Sequence, residues 1–328
     1  MKSDDPSGEG LAVSSIPSSE VLDNQAPALS DLSPGDKPWD KHRSFADTVE
    51  RHYIGSDFDR YATRIHYCSE LLQFGLSADL EETGTLKLKL RAARFCRVRH
   101  CPVCQWRRSL MWKAKAYKVL PRIVEQYPRH RWLFLTLTLK NVCIGELRET
   151  LTEMNKGFRR LSQLKLFPAI GWLRSTEVTR GRDGKAHPHF HCLLLVPPGY
   201  FAGKNYLKQL DWVEMWRKSM RLDYDPVVDV RAVKQGTQPM ELVPELLKYC
   251  TKESDLVTDR EWFLELTKQM RKMRTIATGG VLKEYLKELE EDPEDLIGRD
   301  EDQLADDEAR LFFGWERKGK RYRLSVAT

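Results

Sequence analysis

The run His187-Pro188-His189-Phe190-His191 constrains this chain more than any other feature. It opens a stretch, Ala186 to Val196, that alternates and then turns wholly apolar, as a buried strand does. Side chains two apart on a strand point to one face. His187, His189 and His191 therefore project together, while Phe190 anchors the opposite face in the core. Imidazoles so placed make a metal clamp, because neutral imidazole is the commonest metal ligand near neutral pH.

A second cluster lies upstream. Cys96, Cys101 and Cys104 have the spacing of a structural zinc knuckle, and tetrahedral Zn2+ needs a fourth ligand. Cys68 is the first candidate, with His100 and His66 as alternatives. Seven cysteines, an odd number with several at metal-like spacing, point to a reducing cytoplasm rather than a disulfide framework. The net charge of +6 conceals segregation: from Arg91 to Arg131 Glu125 is the only acid, whereas acids dominate from Glu284 to Glu308. A basic block interleaved with aromatics fits a polyanion, most simply nucleic acid. Arg97, Arg99, Arg107 and Arg108 suit phosphates, and Trp106 suits stacking on bases. No apolar run approaches membrane-spanning length, and the acidic, Ser/Pro-rich N-terminus does not read as a signal peptide.

The pattern divides the chain into four parts. Residues 1–43 read as a disordered leader, 44–128 as a zinc-binding, DNA-docking module, 129–260 as the core, and 261–328 as a helical segment, an acidic linker and a closing hairpin. Within the core, strands are expected at Trp132–Leu139, Trp172–Thr179, His187–Val196 and Val227–Val233. Helices are expected at Ile144–Lys165, Tyr206–Met220 and Leu242–Lys252. Strand, helix, strand, strand, helix, strand, helix is a ferredoxin-like α+β plan with one helix appended. The charged stretch after Glu261 reads as helix, broken at Gly279-Gly280.

If Leu242–Lys252 is one helix, Glu245, Tyr249 and Lys252 share a face at i, i+4 and i+7. A phenol with a pKa near about 10 is a poor nucleophile unless a cation stabilises its anion. Lys252 is the cation at hand.

Taken together, Leu133 to Thr138, His187 to His191 and Lys248 to Lys252 resemble, in order and spacing, the plasmid rolling-circle replication initiators of the HUH endonuclease superfamily. Phe95 to Arg108 and Arg274 to Gly280 are similar to the zinc-bearing, single-tyrosine branch. The resemblance implies a site-specific nickase whose tyrosine, here Tyr249, joins a 5′ phosphate and leaves a 3′ hydroxyl as primer. It implies Mg2+ or Mn2+ held by His189, His191 and a polar third ligand, with His187 a further possibility. It implies that Glu245 activates water at termination. Implied partners are origin DNA with its hairpin or single-stranded nick site, and a bacterial host's helicase and polymerase. Relaxases and transposases share this chemistry. A histidine-triad hydrolase fits the histidines alone, and a non-catalytic zinc-containing DNA-binding regulator fits the cysteines and basic block.

The third ligand is a question of hairpin parity. A two-residue turn at Asp183-Gly184 would set Glu177 opposite Phe190, in the core. An odd loop, Arg182-Asp183-Gly184 with Gly184 left-handed and a bulge, would set Glu177 opposite His189 on the metal face. The odd register is expected, because a buried unpaired carboxylate is costly. Asp183 or a water is the alternative ligand.

Overall fold

The histidine strand is the middle one of five in an antiparallel sheet, and a second sheet of four strands stands apart from it. The computed structural model describes residues 26–78, 86–234, 241, 243–247, 251–288 and 310–325. The chain begins with α1 (Leu29–Leu32), α2 (Lys37–Tyr53) and α3 (Asp59–His66), followed by β1 (Leu71–Ala78) and β2 (Leu86–Ala93). The long α4 (Pro102–Gln126) leads into β3 (Arg131–Thr138), α5 (Leu147–Ser162), β4 (Gly171–Arg180) and β5 (Ala186–Val196). Then come α6 (Gln209–Met220), β6 (Val228–Ala232), α7 (Val243–Leu246), α8 (Glu253–Thr258) and α9 (Arg260–Gln269). The remainder is β7 (Ile276–Gly280), α10 (Val281–Glu288), β8 (Arg310–Glu316) and β9 (Arg321–Ser325).

The fold is α+β, with antiparallel sheets. The larger sheet runs β6-β3-β5-β4-β7. Its first four strands, with α5 and α6 as crossovers, have the ferredoxin-like order expected from the sequence. Alternation assigns each face its partner. Leu133, Leu135, Leu137, Phe190, Cys192 and Leu194 belong to the core that contains Phe158 of α5 and Trp212 and Trp216 of α6. The two tryptophans are four apart and fully buried, so one face of α6 is committed to this core. On the other face, Trp132, Phe134, Leu193 and Leu195 meet Ala116, Val119, Leu120 and Ile123 of α4. Val243 and Leu246 of α7 and Leu282 of α10 complete that layer.

Four sequence expectations are corrected. Residues 26–43 do not belong to a disordered leader: α2 starts at Lys37, and Leu29 and Trp39 are buried. Residues 1–25 lie outside the described residues. The stretch after Glu261 is not continuous helix, because Ile276–Gly280 adds a fifth strand against β4. Its glycines have separate causes. A Cβ on Gly279 would strike the Trp172 ring, and Gly280 has φ +56. Residue 261 marks no spatial boundary either, since β8 and β9 form the expected hairpin but β8 pairs with β1. Finally, Leu242–Lys252 is not one helix. α7 ends at Leu246, and Lys252 is extended (φ −64, ψ 139) as the cap before α8.

Candidate active site

Register decides what the histidines meet. Along β4 and β5, Glu177 pairs with His189, Ser175 with His191 and Thr179 with His187. The loop is odd. Gly181 N–H donates to the Lys185 carbonyl at 2.8 Å, Gly184 N–H donates to Gly181 at 3.0 Å, and Gly184 has φ +75. A turn closed by a left-handed glycine matches the three-residue hairpin with a bulge. Glu177 therefore faces the same side as His189 and His191.

One Glu177 carboxylate oxygen lies 3.1 Å from Nε2 of His189 and 3.1 Å from Nε2 of His191. The other ring nitrogens are also engaged. Nδ1–H of His189 donates to the His187 carbonyl at 3.2 Å, and Nδ1 of His191 is 3.3 Å from the Thr136 hydroxyl. A carbonyl can only accept, so the Nδ1–H of His189 is fixed on the backbone and Nε2 is the ring atom turned toward Glu177, as a proton donor to the carboxylate or, with a cation bound, as its ligand. Neighbouring ligands of an octahedral ion at about 2.1 Å stand about 3 Å apart, which is the spacing seen. Burial alone raises the Glu177 carboxyl. The hydrogen bonds and charges of His189 and His191 outweigh burial and hold it well below the usual carboxylate range. Two nitrogens and a hard oxygen fit a small divalent cation.

His187 shares the face, with its ring 5.2 Å from that of His189, but stands outside this three-residue group. Burial, then repulsion from His189, lowers its pKa. Asp183 is held at the loop by Asn141 and the Lys185 N–H, also outside the group.

The four cysteines converge. Sγ of Cys68 is 3.6 Å from Cys104 and 3.7 Å from Cys101, and Cys96 is 3.6 Å from Cys104. Four sulfurs about 2.3 Å from one zinc stand about 3.8 Å apart, so the cage fits that ion. N–H groups of Cys96, Arg97 and Val98 donate to its sulfurs. Burial, followed by the neighbouring sulfurs, pushes the Cys96 thiol far up. A dication offsets the charge of four thiolates. The alternatives of the sequence reading are not in this group. His66 pairs with Glu50, and His100 is buried against Phe263.

The expected DNA-contacting residues are placed unevenly. Arg97 occupies a positive-φ turn, and the Arg99 guanidinium donates to the Met273 carbonyl at 2.5 Å. His42 stacks on Trp106 at 4.7 Å, and the Arg107 guanidinium lies over its ring. Those contacts engage the Trp106 ring, which is half-buried. Tyr249 lies outside the described residues. Glu245 is in α7, but nothing is described of its side chain. Lys252 is exposed and, beyond the end of α7, does not share a helical face with Glu245.

Sequence reasoning missed Thr136, the register partner of His191 on β3. The alternation in Leu133-Phe134-Leu135-Thr136-Leu137-Thr138 already set its hydroxyl apart from the core leucines, and only the pairing showed what it meets.

A family model described as "Replication protein" matches residues 87–323. The chain belongs to this family of replication proteins. It is the family that its motifs resemble, the plasmid rolling-circle initiators. Among similar members is "Protein rep" of Bacillus amyloliquefaciens, 34% identical over 323 residues, covering 87% of this chain and 93% of the relative. "Protein rep" of a Bacillus species is 38% identical over 260 residues, covering 71% and 81%. A "Replication protein" of Staphylococcus aureus is 38% identical over 224 residues, covering 62% and 95%. No solved structure matches the chain. The family match spans the zinc-type knuckle, the histidine strand and the hairpin that closes the second sheet.

Proposed function

We propose that this protein initiates plasmid replication by nicking one DNA strand at the origin, with Tyr249 as the nucleophile. The observation that carries the reading is the Glu177–His189–His191 group on one sheet face. Mg2+ or Mn2+ bound there supplies Lewis acidity toward a phosphate oxygen. The carbonyl of His187 and the hydroxyl of Thr136 orient the two imidazoles from behind. The Tyr249 phenol loses its proton and attacks the phosphorus. A tyrosyl–phosphate bond forms, the bond to the 3′ oxygen breaks, and that oxygen takes up a proton as the primer hydroxyl.

Flanking residues support the role of Tyr249. Val243, Leu246 and Leu247 pack on the histidine face of the sheet, and beyond Tyr249 the Asp255 carboxylate accepts the Arg180 N–H at the end of β4. Glu245 is assigned to termination, where it takes a proton from water so that the final cleavage is hydrolysis. Lys252, the cap before α8, has no part in this step. The cysteine cage would hold a structural Zn2+, and the basic block docks the origin, where a host helicase separates the strands and a host polymerase extends the 3′ end. No helix among the described residues is long and apolar enough to cross a membrane.

The test is supercoiled plasmid bearing the cognate origin, incubated with Mn2+ and run under denaturing conditions. The wild-type protein is expected to nick at one position and remain on the 5′ end. Tyr249→Phe is expected to bind the origin without nicking or attachment. Glu245→Ala is expected to nick and to accumulate the tyrosyl–DNA adduct, its hydrolytic step slowed roughly 10²–10⁴-fold. Binding without strand cleavage by the wild type would overturn the reading in favour of a DNA-binding regulator.

A further inference from the structure

α8 is held from two sides. The Asp255 carboxylate accepts the Arg180 N–H at 2.9 Å, which ties α8 to the strand that carries Glu177. The second hold is Glu253, the first residue of α8. Nδ1–H of His42 on α2 donates to its carboxylate, 211 residues away in sequence. Both side chains of this pair are buried, and the exposed Lys41 ammonium stands 3.8 Å from the other Glu253 oxygen. The His42 ring is oriented in turn. It stacks on the Trp106 indole with ring centroids 4.7 Å apart, and Trp39, one turn earlier on α2, meets the same indole edge-on at 4.8 Å. Trp106 lies on α4, two residues past Cys104 of the cage. A line of contacts therefore runs from the cage helix through Trp106 and His42 to Glu253.

Stability alone is a weak reason for such a pair. The cost of taking a carboxylate out of water offsets the attraction of its partner, and apolar side chains of similar size would pack there as well. What the pair adds is direction, because a hydrogen bond is made only over a narrow range of distance and angle. The position at stake is that of the nucleophile. Tyr249 comes four residues before Glu253, so its Cα stands within about 14 Å of that hold. Thr251, between them, is fully buried, and Leu247, two residues before Tyr249, is buried too.

We propose that His42 is a positioning residue for strand cleavage. Through Glu253 it fixes where the chain enters α8, and so sets the reach of the Tyr249 phenol toward a phosphate at the Glu177–His189–His191 group. Its stacking on Trp106 makes the cage helix the support for that setting. The inference rests on the reading of Tyr249 as the nucleophile.

The test separates position from stability. In full-length protein, His42→Leu and Glu253→Leu are combined, which removes the hydrogen bond and leaves no unpaired charge behind. Single-turnover nicking of supercoiled origin plasmid is followed at saturating protein and Mn2+, the rate constant being read apart from the fraction of plasmid cut. The double variant is expected to match the wild type in Tm, origin binding and calorimetric Mn2+ affinity. It is expected to nick roughly 100-fold more slowly, the loss that a displacement of about 1 Å brings. His42→Asn, whose amide N–H replaces Nδ1–H, is expected to keep most of the wild-type rate constant. Glu253→Gln, which trades a charge-assisted bond for a neutral one, is expected to fall between the two. A wild-type rate constant in the double variant would overturn the inference, as would a smaller cut fraction at an unchanged rate constant. So would slowing matched by weaker Mn2+ binding, or a loss in His42→Asn as large as in the double variant. Full nicking by Tyr249→Phe would instead overturn the assignment of the nucleophile.

Discussion

The two nitrogens of His189 have different tasks, and the structure separates them. Nδ1–H is tied to a backbone carbonyl, which leaves Nε2 as the ring atom at the site. His191 depends on a side chain, Thr136, for the same orientation. Thr136→Val keeps the shape and removes the hydroxyl. It is expected to weaken Mn2+ binding about 10–100-fold, as loss of an outer partner does, and a calorimetric Mn2+ titration reads this directly. Unchanged affinity would remove Thr136 from the site. Thiols provide a second residue-scale test. Cys143 is exposed, while Cys192 and the four cage cysteines are buried. Cys143 is expected to react with a thiol reagent in the folded protein, and the cage only after a chelator strips zinc. Burial, partly offset by Arg174, pushes the Cys192 thiol from near 9.0 up to about 12. The fold thus keeps this thiol protonated where the unfolded chain ionises it. Stability is therefore full below pH 9 and is lost as pH rises toward 12, because the unfolded chain alone gives up this proton in that window. Cys192→Ala is expected to flatten the alkaline limb of Tm against pH.

Elements add constraints that single residues cannot. Glu177 reaches the histidines only because the loop between β4 and β5 is odd. Deleting Arg182 would make the loop even and turn Glu177 to the other face. The expected outcome is a sheet intact by circular dichroism with Mn2+ affinity lost. Retained affinity would contradict the parity argument. This hairpin was legible in the sequence, since a left-handed glycine and the cost of a buried carboxylate both favour one register. The tyrosine helix was not legible. Its periodicity runs through Lys252, yet the side chains of Asp255 and Asp259 bind Arg180 on a strand far away in sequence, and α8 starts afresh at Glu253. Long-range contacts of this kind override local helix preference.

At the scale of the whole molecule, the C-terminal hairpin returns to the N-terminal helices. β8 covers the edge of β1, Trp315 Nε1–H donates to Asp47, and the Arg317 guanidinium binds Asp47 and Glu50 of α2. Phe313 is fully buried, its ring 5.7 Å from that of Phe74. Phe313→Ala is expected to cost about 3–5 kcal/mol, on the order of 10 °C in Tm, and to speed zinc loss to a chelator. A variant as stable as the wild type would show that the hairpin is peripheral to the cage.

The sequence alone determined what depends on near neighbours along the chain. A period of two set the faces of the histidine strand, and cysteine spacing marked three ligands of the cage. The order of helices and strands announced the ferredoxin-like plan. Covalent geometry repeats over a few residues, so patterns of this length can be read without a fold. Only the tertiary structure decided pairings between distant segments. It joined Cys68 to the cage, set Thr136 behind His191, added β7 to the sheet and carried β8 to β1. Each of those choices is made by the total surface buried and the hydrogen bonds completed when remote segments meet, and no local period encodes that sum.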